Sequence, residues 1–369
     1  MNPDIPNVDP MPLPAPYWLF KLLLLVTFLL HILAMNFMFG GTILAAVARL
    51  KGKRDERYLI LSTNLAKKLP AFFAATITLG IAPLLFLQVI YGQYFYTSSV
   101  IMAWPWFLVI LLLIFAYYGL YVVAFARDQR KGGLVWVLIF SLVLLFLIGF
   151  FYTNNMTLML RPEKWAAKYR TDPSGWNLNW DEAMLIPRYL HFLVASVAVG
   201  ALLAVITGLF RWKKDPEEAR FLIRFGGKWF VFASLVQIVV GVWFLVSLPE
   251  EKMKLYLGQN TPATVLLALG VIGAVAAVWL MSVAIRKEDP RKGALYSTGL
   301  TGIVVVFMTL MRDILRGAYL SAYFQPAALA TKTQWDVLIL FLFLFVGGVI
   351  LWLVLLKRYF SINKPVPAE

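Results

Sequence analysis

Apolar residues in this chain continue for some twenty positions at a time, broken by short polar stretches, instead of alternating along a strand or striping one face of a helix. A run of about 20 apolar residues is what an α-helix needs to cross the hydrocarbon core of a bilayer. Nine such runs stand out, at roughly 19–48, 69–92, 103–126, 133–152, 186–210, 228–248, 263–285, 294–320 and 335–356. The pattern predicts an all-α, polytopic membrane protein of nine transmembrane helices, with one sizeable extramembrane piece at 153–185. Residues 1–18 read as a Pro-rich, exposed extended tail, and 19–369 as a single membrane domain carrying the 153–185 segment as an outer loop. Trp165, Trp176 and Trp180 suit that loop to a cap over the outer face or a docking surface, and equally to an interfacial loop with no partner role.

Composition agrees and excludes much. Hydrophobic residues make up 61% of the 369 and charged residues 14%, far from the balance of a soluble domain. Cysteine is absent, which removes disulfides, thiolate metal sites and thiol nucleophiles. Histidine occurs twice, so any imidazole chemistry rests on His31 and His191.

The net charge of +15 changes meaning once the spans are placed. Of 34 Lys and Arg residues, 23 fall in 49–68, 127–131, 211–228, 286–292 and the C-terminal tail; eight lie in the alternate loops and three (Lys21, Arg312, Arg316) within spans. Basic loops stay on the cytoplasmic side, which puts the N-terminus outside and the C-terminus in the cytoplasm. The basic excess is then a topology signal that meets anionic membrane lipid, and nucleic acid is not an expected partner. The first 16 residues hold six prolines and no basic residue, unlike a secretory signal. Neither an inverted repeat nor matched Gly/Pro-broken spans point to a transporter.

Polar groups inside spans are expensive and are the functional candidates. His31 lies 18 residues before the basic edge at Arg49, about 27 Å along a helix, and His191 enters the fifth span five residues from its outer end, about 8 Å deep. Both histidines therefore sit at one outer level, with Arg188 a turn from His191 and with Arg312, Asp313 and Arg316 near the outer end of the eighth span. Imidazole supplies an axial nitrogen to haem iron, and arginine pairs with the anionic propionates. Met35 shares a helix face with His31.

These residues resemble those of a family, subunit I of the cytochrome bd-type quinol oxidases. The likeness runs through LLHILAMNFMFGGTILAAVARLKGK in the first span, KKLPAFFAATITLGIAPLLFLQVIYGQYF in the second and PRYLHFLVASVAVGALLAVITGLF in the fifth. It implies haem b, one or more, or a haem d-like group, with His31 as ligand of a high-spin haem and His191 of a low-spin haem. Gln88 matches the start of the family's second-span glutamine motif. A second membrane subunit resembling subunit II and a quinone are implied, in a bacterial cytoplasmic membrane. The chain departs from the family at Thr264–Ala268, where a Met ligand is expected, and at Val304–Phe307, where a Glu ligand is expected. Met308 or Met311 stands nearest as a substitute. No Glu lies inside any span, and the quinol-binding loop has shrunk to 249–262. Oxygen reduction needs an ionisable proton path, so the expected function is electron relay between a quinol/quinone pool and a c-type cytochrome on the outer face. Arg188, Arg312 and Arg316 would neutralise propionates, with Asp313 orienting an arginine and with Met35 and Met308 as further iron ligands. The alternatives are a terminal oxidase completed by its second subunit, and a haem-free scaffold of an electron-transfer complex.

Overall fold

The computed structural model describes residues 5–7 and 11–362. The rest of the predicted tail, at 1–4 and 8–10, and the end of the chain from 363, lie outside the described residues. The described residues form twelve α-helices: α1 (Tyr17–Lys51), α2 (Glu56–Ala66), α3 (Leu69–Ile101), α4 (Ala103–Ala124), α5 (Leu134–Leu158), α6 (Trp165–Thr171), α7 (Leu185–Arg211), α8 (Pro216–Val246), α9 (Glu250–Lys254), α10 (Thr261–Ala284), α11 (Arg291–Leu320) and α12 (Trp335–Ile362). Among the described residues, nine helical segments are long and apolar enough to cross a membrane, matching the nine runs.

Several helices outrun their apolar stretches. The segment at 93–102 continues α3 to Ile101. Its polar side chains turn inward on their own helix: Thr97 and Ser99 donate to the carbonyls of Gln93 and Phe95, four residues back (2.6 and 2.7 Å). A hydroxyl satisfied in that way does not break a helix. The basic segment 49–68 contains α2, and α8 begins at Pro216, because Asp55 and Asp215 cap these helices, accepting from the backbone N–H of Arg57 (3.0 Å) and Glu218 (2.9 Å).

The tail reading needs correction where it is described. Leu13 and Ala15 are buried, and Leu13 pairs with a segment near the start of α12: its N–H donates to Ala330 (2.8 Å) and its carbonyl accepts from Lys332 (2.9 Å). The segment between α5 and α7 folds over the ends of α3 and α4, and forms a cap there. Trp104 N–H donates to the Gly175 carbonyl, Asn177 bonds the last carbonyl of α3, and Trp176 stacks on Trp104.

Helix pairing is duplicated. In one unit α1, α3, α4 and α5 pack in a ring; in the other α7, α8, α10 and α11 do the same, in the same order. The units join through α1 against α7, and α1 touches α11 as α7 touches α5. Four spans per unit give both the same sense across the bilayer, a parallel repeat. The sequence carries the same relation. His31, Gly40 and Asp55 recur 160 positions later as His191, Gly200 and Asp215, and DQRKGGL at 128–134 recurs as DPRKGAL at 289–295. Asp128 accepts from the N–H of Arg130 (2.9 Å) as Asp289 does from Arg291 (3.1 Å). The ninth span, in α12, stands outside both rings with none of its apolar window buried.

Candidate functional site

The site is built on the cap side of the crossing between α1 and α7. His31 sits on α1 facing α3. A Cβ at Gly80 would stand 2.8 Å from its Cε1 and 2.9 Å from its Nδ1, so glycine there admits the ring against the α3 backbone. Nδ1 lies 3.0 Å from the Thr76 carbonyl, one turn before Gly80. A carbonyl only accepts, so Nδ1 carries the proton and Nε2 keeps its lone pair. This is the orientation of an imidazole that ligates through Nε2, with the other nitrogen anchored by the backbone.

His191 sits on α7 facing α8. Its ring lies against Gly241, where a Cβ would be 3.5 Å from Cε1 and 3.6 Å from Nδ1, and 5.7 Å from the Phe244 ring. Nδ1 is buried with no hydrogen-bond partner.

Arg188, Arg312 and Arg316 converge on one small cavity, of about 10 Å³, together with Leu87, Met156 and Leu315. It has room for about one water. Arg188 and Arg316 are buried, and buried nitrogens on all three arginines (Nη1 of Arg188, Nε of Arg312, Nε and Nη1 of Arg316) have no partner. The single carboxylate among them, Asp313, is already engaged by Arg316 and by Lys21 (3.1 Å). Arg312 lies over the ring of Phe28 at 4.2 Å, and Phe28 is 6.5 Å from the His31 ring. Arg316 lies over Tyr91 at 5.1 Å, where α3 kinks (φ −128°, ψ 32°). Buried cations without partners are costly. Their orphaned donors suit a carboxylate arriving from outside the chain.

The structure thus brings together Arg188, Arg312, Asp313 and Arg316, and links them to His31 through Phe28. Gln88 takes a different role: its Oε1 accepts from Tyr96 (3.2 Å) on the outer flank of α3. Met35 packs among apolar side chains around Ile32, Val199 and Val305. Met308 is half-buried on α11, one turn from Arg312. Phe28, Thr76 and Gly80 were not singled out from the sequence, and Lys21, noted there as a cation within a span, was given no place in the site. Phe28 and Lys21 precede His31 by three and ten residues, spacings that return to one helix face, and this was the available signal. Thr76 acts through its carbonyl, which no side-chain pattern reveals.

A cap over two rings of four helices, with two histidines and a buried arginine cluster near one end, makes this a helical membrane protein. The solved structure of bd oxidase from Geobacillus thermodenitrificans is similar to this chain with a TM-score of 0.73 over 96% of this chain and 100% of that one, at 16% sequence identity. No protein-family model and no curated protein matches the chain.

Proposed function

We propose that the chain is the haem-bearing subunit of a bd-like membrane complex, relaying electrons between a quinol/quinone pool and a c-type cytochrome at the cap end. The observation that carries this reading is the set of orphaned guanidinium donors of Arg188, Arg312 and Arg316, beside a histidine whose Nε2 is left free by the Thr76 carbonyl. Haem, when bound, supplies one-electron transfer. The chain's own residues do the rest: His31 and His191 offer imidazole nitrogen to the iron, the arginines compensate propionate charge, and Asp313 holds Arg316 in place. Met35 and Met308 are the candidates for further iron ligands, and haem b or a haem d-like group is the expected type. The excess of Lys and Arg at the end opposite the cap supports an outer cap and a cytoplasmic C-terminus in a bacterial inner membrane. The bare apolar face of α12 is consistent with a second membrane subunit.

The test is the reduced-minus-oxidised visible spectrum of the purified chain with His31→Ala and His191→Ala alongside. An α-band that each substitution diminishes in part supports the reading. A featureless wild-type spectrum overturns it in favour of a haem-free scaffold, and dioxygen consumption with a quinol donor would make the protein a terminal oxidase instead.

A further inference from the structure

The duplication assigns a role to Gln237, a polar residue in the middle of the sixth span. In the first unit His31 rests on Gly80, and the residue four positions before that glycine, Thr76, takes the Nδ1 proton through its carbonyl. In the second unit His191 rests on Gly241, and the residue four positions before that glycine is Gln237. The two rings are not held equally. His31 lies against its glycine at 2.8–2.9 Å, whereas His191 stands off at 3.5–3.6 Å, and its Nδ1 has no partner. Both polar atoms of the Gln237 amide, Oε1 and Nε2, are also buried without a partner. An unpaired amide in the apolar interior of a membrane protein is costly, so its retention calls for a partner. Side chains one turn apart on a helix are about 6 Å from each other. A Gln237 side chain turned towards Gly241 approaches the His191 ring seated on that glycine.

The geometry points to Gln237 as the positioning residue of His191: its side-chain carbonyl accepts the Nδ1 proton and so presents Nε2, as the Thr76 backbone carbonyl does for His31. The idea rests on the haem-ligand reading for its purpose, but the hydrogen bond belongs to the chain alone and is tested without haem. The first unit uses a backbone acceptor that no substitution can tune. The second uses a side chain, so the basicity of His191 is set by residue 237.

The chain has only two histidines, so histidine labelled with nitrogen-15 gives two imidazole signatures in the full chain reconstituted in phosphatidylglycerol/phosphatidylcholine nanodiscs. His31→Ala assigns them. In the wild type both imidazoles are expected in the Nδ1–H tautomer. Gln237→Leu should shift the His191 signature alone to the other tautomer, and Gln237→Glu should restore Nδ1–H. The same pair of variants should move the midpoint potential of the His191-dependent α-band in opposite directions, up for leucine and down for glutamate, which a packing role would not do. A His191 signature unchanged by Gln237→Leu overturns the assignment, even if the α-band is intact. A missing α-band defeats the haem reading while the tautomer still decides this one.

Discussion

Gly40 of α1 and Gly200 of α7 meet backbone to backbone, and they do so reciprocally. A Cβ on Gly40 would fall 1.9 Å from the Ser196 carbonyl oxygen, and a Cβ on Gly200 would fall 2.6 Å from the Gly40 Cα and 2.9 Å from the Asn36 carbonyl oxygen. Asn36 and Ser196 are themselves 160 positions apart, like the two glycines. The contact is thus the same surface used twice, as in a two-fold dimer. Each histidine lies nine residues from its glycine, about 13 Å towards the cap, so the crossing sets both rings at one depth.

Substitution at the crossing should therefore be expensive. Gly40→Ala places a methyl group inside a neighbouring backbone, which cannot yield as a side-chain tip can, and the expected loss is at least the roughly 1–3 kcal/mol of an overpacked core. Thermal unfolding in detergent checks it, with Gly302→Ala as control, since a Cβ at Gly302 meets nothing within 4 Å. Equal midpoints for the two variants would remove the crossing from the account.

The nine spans and the level of the two histidines were legible because apolar length and residue spacing are direct consequences of bilayer thickness and helix rise. Helix ends were less so. Thr97, Ser98 and Ser99 look like a loop in sequence, yet their hydroxyls bond carbonyls of α3 and the helix runs through them. The duplication was missed because an inverted repeat was sought, while four spans per unit give a parallel one; the matching DQRKGGL and DPRKGAL segments lead into α5 and α11, at the polar edge of the apolar runs. Gln88 carried a family likeness but is turned to Tyr96, and nothing in its spacing separates that flank of α3 from the one bearing Leu87 and the arginine cavity.

Gly80→Ala should act on one histidine only. The added methyl would sit 2.8 Å from Cε1 of His31, so the ring must swing off α3 and give up the Thr76 bond, a loss of about 1 kcal/mol in orientation. If the proposed haem ligation holds, the spectrum should lose or shift the His31-dependent part of the α-band and keep the His191-dependent part. Gly241→Ala should be mild by comparison, since its Cβ would be in ordinary contact at 3.5 Å.

Asp313→Asn removes the one carboxylate engaged by both Lys21 and Arg316. Breaking a buried pair by deleting one partner typically costs about 3–5 kcal/mol. Here the loss should fall below that range, because the Lys21 side chain is 43% exposed and is resolvated at little cost. Arg316 is buried and is left with a further unpaired nitrogen. Chemical denaturation in mixed micelles should show Asp313→Asn clearly less stable than Lys21→Met. Equal stabilities would mean that the carboxylate contributes through Lys21 and not through the arginine cluster.

The cap carries a pH dependence of its own, outside the spans. Burial works against ionisation of Asp181, but the hydrogen bonds from Lys168 and Lys164 outweigh it and hold the carboxyl down to about 2. The ion pairs, at 2.5 and 2.9 Å, tie the end of the loop to α6 and to the turn before it. Folding lowers this carboxyl below its ordinary value of 3.8, so the unfolded cap binds the proton first on acidification. The stabilisation is complete above about pH 4 and drains away as pH falls towards 2. Because the Asp181 side chain is 57% exposed, solvent screens the pairs and their worth is under about 1 kcal/mol. Trp180 adjoins Asp181 and lies against the Phe150 ring at 4.8 Å, so its fluorescence, isolated from that of the other twelve tryptophans by subtracting the Trp180→Phe spectrum, reports cap seating. Between pH 4 and 2 the wild-type signal should move towards that of a solvated indole, in a transition that high salt weakens. Asp181→Asn should show the acid-side signal already at neutral pH and lose the transition. A titration identical in the two proteins would place the acid sensitivity of the cap elsewhere than at Asp181.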